Sequence, residues 1–138
     1  NGELDAPYIA DPTKAGNDWI VLRLADILLM HVESIMAGAN ETIDPAALVS
    51  FQSVRDRAGL TTPVTIVTKD ALLTERRVEL AFENHRLFDL MRLGVAEDVL
   101  SAFSTANGYG FTSTDILLPI PQREIGLSLG NLTQNPGY

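Results

Sequence analysis

The stretch from Glu75 to Leu93, Glu-Arg-Arg-Val-Glu-Leu-Ala-Phe-Glu-Asn-His-Arg-Leu-Phe-Asp-Leu-Met-Arg-Leu, constrains the fold of this chain more than any other. It reads as one helix with four acids, four arginines and apolar residues around nearly its whole circumference. A helix on a protein surface keeps its charges to one side. Here they are mixed through a hydrophobic sequence, so some are expected to be buried, and buried charges must be paired. Acids and arginines cancel within Glu75–Arg92, so the net charge of −8 lies elsewhere. Eight of the ten basic residues are arginine, the side chain best suited to bidentate carboxylate pairing in a partly dry setting.

The remaining 119 residues divide around this helix. At 138 residues in all, the chain fits a single domain that buries roughly 70% of its unfolded surface. Residues 1–18 hold Pro7, Pro12 and Gly16 among polar residues and read as an extended lead-in. Residues 19–59 read as a helical hairpin. Its first helix runs from Trp19 to about Ala37, capped by Asn17 or Asp18 and stopped by Gly38. In this helix Ile20, Leu24, Ile27, Leu28 and Ile35 follow helical spacing, Leu22, Leu29 and Met36 cover another side, and Arg23, Asp26 and Glu33 share a narrow polar stripe. Such a helix is expected to be buried between two neighbours. Asp44-Pro45 opens the second helix with an N-cap acid and a proline whose missing N–H costs nothing there. Leu48, Phe51, Val54 and Ala58 form its stripe, and Gly59 ends it.

Thr68 can cap the long charged helix, which is expected to span 68–94 and close at Gly94. Residues 95–138 read as loop and tail. A short helix is expected near Glu97–Phe103, a turn at Asn107-Gly108, an extended Ile116–Pro121 segment, and one helical turn at Gln122–Ile125. The class is therefore mainly α, with an irregular, proline-containing tail.

Several functions are disfavoured by composition. A net charge of −8 argues against nucleic-acid binding, which needs a basic surface. No cysteine is present, so disulfides and thiolate chemistry are excluded. No apolar run approaches the ~20 residues of a membrane-crossing helix. The sequence also lacks a glycine-rich phosphate loop, a Gly-x-Ser-x-Gly elbow and a nucleophile–base pair.

The acids of the long helix allow two readings. Glu75, Glu79, Glu83 and Arg86 lie on one helical face at spacings of four, four and three, and Arg86, Asp89 and Arg92 continue at threes. Clustered carboxylates can serve acid–base catalysis or hold a metal. Each acid, however, has an arginine within helical reach, Arg76 included, which favours its charged and inert state. The seven residues read as a structural ion-pair network that joins this helix to the other helices and to the tail, with no metal and no cofactor. His31 and His85 lack metal-ligand spacing, and His85 can pair with Asp89. Asn40-Glu41-Thr42 and Asn131-Leu132-Thr133 match a glycosylation pattern that chance often produces. Trp19, Tyr109, Phe111 and Tyr138 can stack on sugar faces. Trp19 reads better as core, while Tyr109 and Phe111, flanking Gly110 in a polar loop, are the ligand-binding candidates.

Five segments together resemble the C-terminal region of the SusD/RagB outer-membrane lipoproteins of Bacteroidetes. They are Arg23-Leu24-Ala25-Asp26 with Glu33, Val54-Arg55-Asp56-Arg57-Ala58-Gly59-Leu60, Glu75 to Glu83, Arg86 to Gly94, and the close Leu118-Pro119-Ile120-Pro121-Gln122-Arg123-Glu124-Ile125 with Gln134-Asn135-Pro136-Gly137-Tyr138. Met30-His31-Val32 and Leu93 depart from the pattern, where the family favours a Tyr/Ala-rich turn and tryptophan. The resemblance implies a SusD-like fold in which Leu22–Ala58 is similar to one tetratricopeptide-like hairpin. It also implies non-enzymatic binding of a glycan or other nutrient at the bacterial outer membrane, where the protein lies as a lid over its partner, a TonB-dependent, SusC-like transporter. On this resemblance the chain is a fragment of a surface lipoprotein whose leader, lipidated cysteine and much of whose ligand surface lie upstream. The alternative functional reading is a helical-repeat scaffold that binds protein and no glycan.

Overall fold

The computed structural model describes residues 20–138, so the expected lead-in, the Asn17 or Asp18 cap and the placement of Trp19 fall outside the described residues. The chain forms two compact units that divide between Glu83 and Asn84. That division falls inside the stretch expected to be a single helix.

The first unit contains α1 (Leu24–Met36), β1 (Glu41–Thr42), α2 (Pro45–Arg57), β2 (Val67–Thr68) and α3 (Lys69–Glu79). α2 starts as its sequence dictates: Asp44 accepts from the amides of Ala46 at 2.8 Å and Ala47 at 3.4 Å, behind Pro45. α1 begins later than Trp19, at Leu24, because Arg23 is extended and its side chain is engaged elsewhere instead of capping. Its C-terminus turns through Ala37 and Gly38, both left-handed. β1 and β2 pair antiparallel with Glu41 opposite Thr68, which brings the start of α3 back to the hairpin.

The core consists of Ala25, Leu29, Val32 and Met36 of α1, Ala47, Phe51 and Val54 of α2, and Val67 and Leu72. The α1 positions are spaced four, three and four, so a single stripe faces α2. α1 packs against α3 as well, where buried Asp26 meets Arg76, so it lies between two neighbours as expected, although Leu24 and Ile27 are exposed and small Ala25 lies inward. Ala58 is likewise exposed, and Ala47 takes the buried place on α2.

The long helix over 68–94 is not formed. α3 ends at Glu79, and α4 begins only at Arg86. Thr68 does cap α3, accepting from the Ala71 amide at 3.1 Å. At its end, the Glu79 carbonyl would bond the Glu83 amide if the helix continued. Instead Arg23 Nη2 donates to that carbonyl, and the Glu83 amide bonds Leu80 at 3.1 Å. Phe82 and Asn84 then adopt left-handed backbone, with φ of 67° and 62°. A left-handed phenylalanine costs roughly 1–2 kcal/mol. The Arg23 bonds on both sides of it offset that cost.

The second unit contains α4 (Arg86–Arg92), α5 (Ala96–Asn107), a 3₁₀ turn (Ser113–Ile116) and α6 (Gln122–Leu127). Gly94 and Gly108 supply the left-handed positions after α4 and α5. α5 runs a turn past Phe103, and α6 is longer than the expected single turn. The tail folds back over the proline segment through side-chain amides. Gln134 brackets Ile120, accepting from its amide at 2.7 Å and donating to its carbonyl at 2.9 Å. Asn135 Nδ2 donates to the Leu118 carbonyl at 2.7 Å. This pattern imitates strand pairing where prolines remove backbone donors. Gly137, at φ 98°, leaves no room for a Cβ, which would lie 2.6 Å from Thr114 Oγ1.

Candidate functional site

The acids of α3 point towards the helical hairpin. Arg23 donates through Nε to Glu83 at 2.9 Å and through Nη1 to Glu79 at 2.6 Å. Arg57 reaches the other Glu79 oxygen at 2.6 Å. Arg23 at the start of α1 and Arg57 at the end of α2 thus meet on one carboxylate, as an antiparallel hairpin requires. Arg55 binds Glu75 at 2.8 Å and lies 5.8 Å from the Phe51 ring centre. Asp26 and Arg76, only 4% and 3% exposed, approach to 2.9 Å as an ion pair off the line of an ideal hydrogen bond.

Among the described residues, two titrating groups depart clearly from their ordinary behaviour. Hydrogen bonding to Glu83, with Glu79 adding to it, raises the Arg23 guanidinium pKa above its usual value and fixes its charge. Burial pushes the Glu79 carboxyl up, but the hydrogen bonds from Arg23 and Arg57 outweigh it and hold the group below the ordinary carboxylate range. The arrangement keeps Glu79 ionised and occupied.

Glu75, Arg76 and Glu79 therefore lie on α3, with Glu83 in the turn that follows; Arg86, Asp89 and Arg92 belong to α4 in the second unit. Glu75, Glu79 and Glu83 do not share a single helical face with Arg86, because the helix ends first. Asp89 is buried and accepts from Arg92 at 2.8 Å, one turn on. The partners missed by helical spacing are Asp26, Arg23, Arg55 and Arg57. The first two stood together in the polar stripe of α1, and that stripe was the available signal.

The aromatic candidates lie in the second unit. Tyr109 is 65% exposed, and its ring centre is 5.8 Å from that of Phe103 on α5, at a 35° tilt. Phe103 is itself 58% exposed. Phe111 is half-buried. Ser104, buried on α5, holds the loop that carries them: its hydroxyl donates to the Tyr109 carbonyl and accepts from the Phe111 amide at 3.0 Å. Its own carbonyl accepts from the Tyr109 amide at 2.9 Å. Asn107 adds a bond from its side chain to the Phe103 carbonyl at 2.8 Å. Phe103 and Ser104 escaped notice in the sequence, since nothing local marks one phenylalanine of an amphipathic helix as exposed.

Other features give less chemistry. An open cavity of about 450 Å³ lies among Phe51, Arg55, Val64, Ile66 and Glu75, but its glutamate is already bound by Arg55. A second, of about 380 Å³, lies between Arg23, Leu28, Ser53 and Arg57. His31 Nδ1 and Ser50 Oγ are 2.9 Å apart, a serine–histidine contact that the sequence did not reveal. Ser50 is buried, and the bond staples α1 to α2. Among the described residues no group of three or more acids or histidines is arranged to hold a metal, and no helix is long and apolar enough to cross a membrane.

The sequence and fold both have relatives. The model of the SusD family matches residues 4–138. The chain is 28% identical to SusD-like protein P2 of Formosa agariphila over 91% of its length, and 34% identical to SusD-like protein P25 of the same organism over 86%. These alignments cover 27% and 24% of the two relatives, so the chain spans about a quarter of their length. Among solved structures, it superimposes on surface glycan-binding protein A from Bacteroides thetaiotaomicron in complex with laminarihexaose. The TM-score is 0.75 and the identity 34%, over 88% of this chain and 26% of that one. A laminarin-binding SusD-like protein gives a TM-score of 0.67 at 38% identity, over 86% of this chain and 23% of its own.

Proposed function

The chain belongs to the SusD family, and on that premise we propose that it takes part in binding an oligosaccharide without altering it chemically, at the surface of a bacterial outer membrane. The chain is part of a surface lipoprotein in this reading, and the bound glycan passes to a TonB-dependent, SusC-like transporter in the same membrane. The observation that carries the proposal is the likeness, in sequence and fold together, to a surface glycan-binding protein that was solved with laminarihexaose.

The carboxylates support the non-catalytic part of it. Cleavage of a glycosidic bond needs one carboxylic acid that keeps its proton near neutral pH, beside a second that is ionised. Here the arginines act in the opposite direction, holding Glu79 ionised and occupying Glu75 and Glu83 as well. Glu79, held ionised, has no proton to give.

Calorimetric titration with laminarihexaose and a panel of other neutral oligosaccharides, followed by chromatography of the sugar, tests the proposal. Saturable binding with the oligosaccharide recovered intact is expected. Shortened products, or no heat with any of the sugars, would contradict it. The transporter partnership is checked separately, by co-elution with a detergent-solubilised SusC-like transporter.

A further inference from the structure

We propose that the exposed rings of Phe103 and Tyr109, with Phe111 beside them in the loop, form a contact surface for a neutral glycan. This rests on the glycan-binding reading and assigns part of that binding to the second unit.

Three observations converge on it. The first is exposure. Two aromatic rings 5.8 Å apart each present more than half of their surface to solvent. Phe103 is carried by α5, and Tyr109 by a loop whose backbone is hydrogen-bonded to Ser104.

The second is rigidity. Ser104 makes three hydrogen bonds to the Tyr109–Phe111 segment, and Gly108, at φ 71°, provides the left-handed turn that brings the segment back along α5. The Thr112 amide and the Asp115 carboxylate close the far side at 2.6 Å. A surface fixed before the ligand arrives loses little conformational freedom on binding.

The third is chemistry, and it chooses the ligand. No charged residue lies between Asp98 and Asp115. The same span contains Ser101, Thr105, Asn107, Thr112, Ser113 and Thr114. A pyranose presents a face of C–H bonds to an aromatic ring and a rim of hydroxyls to neutral donors and acceptors. An anionic ligand would find no cation in this span. A protein partner of ordinary composition would find none of the arginines that such interfaces favour.

The test is titration of laminarihexaose into the parent chain and four variants, Tyr109→Ala, Tyr109→Phe, Phe103→Ala and Phe103→Leu. Removal of either ring is expected to weaken binding by about tenfold, and Phe103→Leu as much as Phe103→Ala, because an apolar side chain without a ring lacks the flat face. Tyr109→Phe keeps that face and is expected to stay within about threefold of the parent. Phe103→Leu also covers the case in which an alanine variant does not fold. If every ring-removing variant binds within about twofold of the parent, the aromatic surface is overturned while glycan binding stands. A parent chain that binds no neutral oligosaccharide overturns both.

Discussion

The first unit closes a core of nine apolar side chains and fastens arginine–carboxylate pairs along its edge. Among the described residues of the second unit, by contrast, only Asp89, Leu90, Ala96 and Ser104 are buried, and the tail is held by amide hydrogen bonds to a proline segment. The difference separates stability from exposure. Burial of apolar area drives folding, so the hairpin and α3 can support a cost such as left-handed Phe82. The second unit instead fixes its backbone locally and leaves its aromatic rings in water. Binding surfaces are commonly drawn from such thinly packed regions.

The contrast can be broken at its strongest point first. Asp26→Ala removes a buried carboxylate that is ion-paired with the buried Arg76 guanidinium and is expected to cost about 3 kcal/mol or more, read as a large drop in the thermal midpoint. A melt that matches the parent would remove the charge pairs from the account of the first unit. Glu79→Ala comes next, at about 3 kcal/mol, because it removes the carboxylate that Arg23 and Arg57 both hold, while Arg23 keeps Glu83 and the backbone carbonyl at the end of α3. Exchange of the Leu80–Glu83 amides should accelerate in that variant before the rest of the unit responds.

Gly137→Ala probes the other unit. It forces a Cβ against Thr114 at a left-handed position and should cost about 1–3 kcal/mol. Hydrogen exchange is expected to quicken over the 3₁₀ turn and the tail, while α1 and α2 keep their protection. Loss of protection in both would mean that the units do not differ as described.

The smallest effect is that of acid. Glu79 binds its proton less tightly in the folded chain than in the unfolded one, so the unfolded state takes up more protons as pH falls. The stability it contributes is complete above the ordinary glutamate value of about 4.3 and is lost as pH drops through the lower folded value. The thermal midpoint should therefore fall in that window, and Glu79→Ala should flatten the fall. An unchanged slope in the variant would show that other groups carry it.

The hairpin was legible because its signals are local. Asp44-Pro45, Gly59 and the spacing of Phe51 and Val54 each act within one turn of helix. The break after Glu79 was not legible. Leu80, Ala81, Phe82 and Glu83 contain neither glycine nor proline, and helix propensity runs through them. What ends α3 is a guanidinium 56 residues earlier that captures the Glu79 carbonyl, which is a tertiary event. The same reasoning explains the ion pairs. Helical spacing identified the acids and offered neighbours along the chain, whereas the hairpin supplies Arg23, Arg55 and Arg57 from one side. At the aromatic loop, the polar sequence around Tyr109 and Phe111 showed where a loop would lie. The part played by Ser104 depends on how α5 and the loop meet, which no local pattern encodes.

Backbone amide spectra of the whole chain, recorded as laminarihexaose is added, test the division most directly. Shifts are expected to cluster between Phe103 and Thr112 while the amides of α1, α2 and α3 stay in place. Shifts centred on the charge-paired helices, with the aromatic loop unmoved, would contradict it.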